Sequence, residues 1–121
     1  MILKNITLKT AELGPVRWED VEKIQPGENG YICFISAEYI TKTDIDGTES
    51  THLLGSYIET GFDHRPTYKE IINMIVNKEY PNGKEQEMLR VGISNPQNSE
   101  YIEYYNNVED IIRTIKELQL K

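Results

Sequence analysis

The chain has 121 residues and a formal charge of −7, from 20 acidic against 13 basic side chains. That length predicts one domain, and 38% hydrophobic with 27% charged residues is the make-up of a soluble globular protein rather than a disordered one. Phosphate backbones are bound chiefly by Lys and Arg, so a net acidic chain whose bases are dispersed is expected to bind no nucleic acid. The single cysteine, Cys33, excludes an intrachain disulfide framework and a cysteine-rich zinc site, and reads as a small buried hydrophobe. No stretch approaches 18 apolar residues and the first ten lack the apolar core of a signal peptide, so the expectation is no membrane and a cytoplasmic location.

In chain order, "ILKNITLK" places Ile2, Ile6 and Leu8 on one strand face, interrupted by Lys4. "GPVRWEDVEKIQPGENG" lies between turn signals, and Trp18, Val21 and Ile24 suggest one short helical turn within it. "YICFISAEYITKT" (31–43) is rich in β-branched and aromatic residues and predicts the strongest strand. Asp46-Gly47 then supplies a hairpin turn, and "ESTHLLGSYIET" returns, giving a long β-hairpin over 31–60 whose outer half reaches beyond the core. "DIDGTE" (44–49) superficially matches a calcium loop, but Gly55 stands where the distal Glu is required, so it reads as a turn.

The second half reads as helices. Tyr68, Ile71, Ile72, Ile75 and Val76 fall on one face of a helix over 67–79. Residues 84–93 alternate like a strand at Leu89, Val91 and Ile93, yet their strong helix formers favour a helix over 84–91, with Gly92-Ile93 as a Schellman stop. A third helix over 99–119 carries an apolar stripe at Tyr101, Tyr105, Val108, Ile112, Ile115 and Leu118 or Gln119, with Asn106-Asn107 a place for a kink. The predicted fold is a single α+β domain over 1–121: an antiparallel sheet built on the hairpin, followed by three helices.

Candidate chemistry is sparse. Asp63-His64-Arg65 are adjacent, so in an extended segment their side chains point to alternate sides and do not converge. Pro66 favours extended backbone before it, and Thr67 with Glu70 forms a capping box, so the trio reads as the start of a helix. His52 and His64 are the two histidines, with no spacing that favours a metal. Glycine-rich phosphate loops and the nucleophile-elbow motif are missing from the sequence. No catalytic residue, cofactor or metal ligand is assigned.

Tyrosine is the remaining compositional signal: eight Tyr against two Phe and one Trp. Tyr is favoured at protein contacts because it joins apolar area to a polar tip. Tyr104 sits off the stripe of the last helix, and Tyr39, Ile40, Ile45 and Ile58 are expected near the uncovered end of the hairpin. The stretch "YIETGFDHRPTYKEIINMIVNKEYP" (57–81) resembles small proteins encoded in phages and prophages, some near tail genes. That resemblance implies a structural or accessory role, and virion association if the chain is phage-encoded. The functional expectation is therefore a non-enzymatic interaction or assembly protein binding a protein partner or itself, as a homodimer or higher oligomer. The alternative is a small hydrolase-like or ligand-binding domain using His52, His64 and nearby carboxylates.

Overall fold

Turn chemistry sets the hairpin. In the computed structural model, which describes residues 1–119, Gly47 takes φ +85° and donates to the Asp44 carbonyl. The Asp46 carboxylate accepts from the Thr48 N–H at 2.9 Å, the side-chain turn that Asp favours. This turn joins β3 (Gly30–Thr43) to β4 (Glu49–Glu59). β1 (Lys9–Gly14) and β2 (Ile24–Gly27) add at the two sides, in the antiparallel order β1-β4-β3-β2. Three helices follow: α1 (Tyr68–Glu79), α2 (Lys84–Ser94) and α3 (Ser99–Leu118). The fold is α+β, as the patterning predicts.

The chain divides into two compact units, Leu8–Pro66 with the sheet, and Met1–Thr7 together with residues 67–119, with the helices. In the sheet unit, a bulge between Phe34 and Ser36 inserts Ile35 as an extra residue. Side chains alternate with period two, so one inserted residue exchanges the faces of everything beyond it. Cys33, Phe34 and Ile35 can thus all be buried in succession. Burial drives the Cys33 thiol up to about 12, leaving it protonated and inert. Phe34 lies over Gly55, where an added Cβ would come within 2.7 Å of the ring.

In the helical unit, Thr67 and Glu70 form the expected capping box, each side chain accepting from the other's backbone N–H. Ile71, Ile75 and Val76 are the buried residues of α1.

Four local expectations are corrected. The first strand is Lys9–Gly14, not residues 2–9. The backbone of that earlier segment is held by side chains instead: the Ile2 N–H donates to Asn107 Oδ1 at 2.7 Å, and those of Lys4 and Asn5 donate to the Glu79 carboxylate. A short strand at Ile24–Gly27, disguised by its Pro-Gly ending, accompanies the helical turn, which is confined to Trp18–Asp20. Pro is tolerated there because β2 is an edge strand. Helix α2 runs through Gly92 to Ser94, and Gly92 packs on Tyr101 so closely that a Cβ would stand 2.2 Å from the ring, so the glycine serves close packing and not a stop. Ile93 is consequently exposed rather than folded back on Met88.

The buried stripe of α3 is Tyr104, Asn107, Ile111, Ile115 and Leu118. Adjacent isoleucines at 111 and 112 permit two phases of the same helix, and the polar Asn107 masked the true one. Asn107 makes no kink. Its amide also donates to the Ile2 carbonyl and the Tyr80 hydroxyl, both at 3.0 Å, so its polar atoms are satisfied inside the unit.

Candidate functional site

β1 pairs with β4 only from Tyr57 to Leu53, and β2 with β3 only from Gly30 to Cys33. Farther out, β3 and β4 pair with each other alone, ending at Thr43↔Glu49. The Lys23 carbonyl takes the Phe34 N–H, after which no strand among the described residues other than β4 borders β3 from Ile35 to Thr43. The β3 edge is therefore unpaired over residues 35–43, and beyond β1 the outermost part, residues 40–43 with 49–52, is a two-stranded ribbon.

The expected interface residues divide between this ribbon and the interior. Tyr39 lies on the open β3 edge just inside the ribbon, 56% exposed, with its hydroxyl 3.3 Å from the Trp18 N–H. Ile40 is half-buried opposite His52, and Ile45 in the turn is fully exposed. Ile58 and Tyr104 do not belong to the surface set. Ile58 is 0% exposed at the inner end of β4, opposite Cys33. Tyr104 is buried in α3, with its hydroxyl on Glu85 at 2.9 Å and its ring edge-on to Tyr80. Desolvation, and then the Glu85 carboxylate, push its hydroxyl further up from the ordinary phenol value. Tyr105, assigned to the core stripe from the sequence, is half exposed instead.

The register also assembles a cluster that local sequence reading did not anticipate. Glu12 of β1, Ser50 and His52 of β4, and Ile40 and Lys42 of β3 share one face of the sheet. Ser50 Oγ lies 2.9 Å from His52 Nε2. On the other side of the ring, Glu12 Oε1 lies 3.0 Å from Nδ1, displaced from the line of an ideal N–H bond. Lys42 forms an ion pair with the second Glu12 oxygen and is the cross-strand partner of Ser50. The hydrogen bond and charge of Lys42, aided by His52, hold the Glu12 carboxyl below its ordinary range. Only the cross-strand placement of Glu12 reveals this set, and it depends on where β1 begins.

His64 belongs to a different neighbourhood. It lies 3.3 Å from Asp63 and edge-on to Phe62, in the loop before α1. Arg65 reaches back to the Ile24 carbonyl at 3.0 Å and to Glu22 at 2.7 Å. These contacts fasten a loop, consistent with the structural reading of the trio. The helical unit has a cavity of about 240 Å³ bordered by Lys4, Glu79, Tyr80, Met88, Glu103 and Tyr104, and neither histidine lines it. No helix of the described residues is long and apolar enough to cross a membrane. Comparisons with family models, curated proteins and solved structures found no match.

Proposed function

We propose that this is an interaction protein whose outer hairpin docks on another protein chain, and that the occupant is a second copy. The observation that carries this reading is the unpaired edge of β3 from Ile35 to Thr43, flanked by exposed Tyr39 and Ile45. A two-stranded ribbon is marginal alone in water, and an unpaired edge is a template for another strand. Charge complementarity favours a copy of itself. Antiparallel pairing of this edge about Ile40 sets Glu38 of each chain against Lys42 of the other, with Ile40 opposite Ile40. Such pairing has two-fold symmetry and therefore closes as a dimer. The likeness of residues 57–81 to phage and prophage accessory proteins supplies a setting in which assembly of this kind is useful.

The test is Tyr39→Lys combined with Ile40→Lys, read by light scattering and circular dichroism on one sample. The expected outcome is a folded monomer from a dimeric parent. A parent already monomeric at high micromolar concentration overturns self-association.

A further inference from the structure

The geometry points to a second activity on the ribbon: Ser50 as a nucleophile toward small activated carboxylic esters, with His52 as its base and Glu12 as the group that positions the base. Nucleophile and base stand 2.9 Å apart, within proton-transfer reach. For Nε2 to take the Ser50 proton, the neutral ring must carry its hydrogen on Nδ1. The Glu12 carboxylate, 3.0 Å from Nδ1 but off the line of a hydrogen bond, favours by its charge the imidazolium formed by proton transfer. Lys42, directly across the ladder from Ser50, is ion-paired with the second Glu12 oxygen and so holds that carboxylate beside the ring. Ile40 opposite His52, and Leu54 two residues along the same face, are half-buried apolar surface for a short acyl group. Ser50 is itself half-buried, so an open site of this kind suits small esters.

Chemically the step is acyl transfer. Ser50 Oγ bonds to the ester carbonyl carbon as its proton passes to His52 Nε2. The bond to the leaving oxygen breaks, and that oxygen departs with the proton from His52. Water then adds to the acyl-serine, giving its proton to His52, and Ser50 leaves carrying that proton. A fluorophosphonate follows the first half alone: an Oγ–P bond forms, fluoride departs, and the label stays.

The full chain is treated with a fluorophosphonate probe, and labelled peptides are mapped by mass spectrometry. Ser56, on the same strand and face, is the internal reference. Ser50 is expected to label at least about a hundredfold faster than Ser56, and His52→Gln to remove that advantage. Ser50→Ala should abolish p-nitrophenyl acetate turnover while leaving the circular dichroism melt unchanged. Glu12→Gln is expected to slow labelling about tenfold and to shift its pH dependence, a readout that a purely structural Glu12 would not move. Equal labelling of Ser50 and Ser56, or Ser50 labelling indifferent to His52→Gln, overturns the assignment.

Discussion

The two ends of one hairpin behave as different materials. At the inner end, each of β3 and β4 has a further strand beside it, and Cys33, Phe34 and Ile58 are buried to within 2% of complete. At the outer end the same two strands continue with the same antiparallel ladder, yet Tyr39 and Ile45 are exposed. Hydrogen bonding does not distinguish the ends; lateral neighbours do. A strand is part of a core only as far as something lies beside and over it. Beyond that point its side chains are available for recognition and chemistry.

The strongest challenge to this contrast is to make one change at both ends. Ile58→Ala removes a fully buried side chain and should lower unfolding stability by about 2–5 kcal/mol. Ile45→Ala, the same chemistry in the exposed turn, should fall within about 0.5 kcal/mol. Urea melts of the two variants measure it. Comparable losses would mean that the outer ribbon is part of the folding core.

A smaller effect probes how tightly the inner end is built. Gly55 lies beneath Phe34, and an added Cβ would meet the ring at 2.7 and 2.8 Å and Leu13 at 3.0 Å. Because Phe34 is 2% exposed, its ring has no open space to move into. Gly55→Ala should therefore cost about 1–3 kcal/mol through overpacking. A neutral result by the same melts would show that the ring can shift, and that the inner half is looser than its burial suggests.

The hairpin and the helices were legible because their signals are local. Asp46-Gly47 marks its own turn, and Thr67 and Glu70 cap a helix within four residues of each other. What was not legible depends on register. The bulge at Ile35 exchanges faces in a way that alternation alone does not reveal, while Ile58, expected near the tip, lies in the core because it pairs with Cys33 at the end of β4 far from the turn. Asn107 was taken for a possible kink because its partners, Ile2 and Tyr80, are distant in sequence. Glu12 meets His52 only once β1 is set at Lys9–Gly14 and paired to β4. Ser50 and His52, two apart on a strand, were within reach of sequence reasoning. Their significance was not, because the carboxylate that completes the set lies on another strand.

The smallest effect concerns what fastens β1 to the beginning of the ribbon. Glu12 is held ionised first by Lys42 and also by His52, so its folded-state value lies below its ordinary 4.5. A carboxyl depressed in this way favours the folded state while the pH stays above the ordinary value. That contribution fades as the pH falls from 4.5 through the lowered value, where the folded protein also takes up the proton. Because the carboxyl is exposed, the contribution should be small and should weaken with added salt. Urea midpoints of the parent and of Glu12→Gln, followed downward from neutral pH, are expected to differ slightly and then converge below 4.5. Lys42→Met should produce the same convergence, since it removes the principal cause of the shift. A gap that persists unchanged into acid would assign the effect to packing rather than charge, and the ion pair would then contribute nothing to holding β1 against the hairpin.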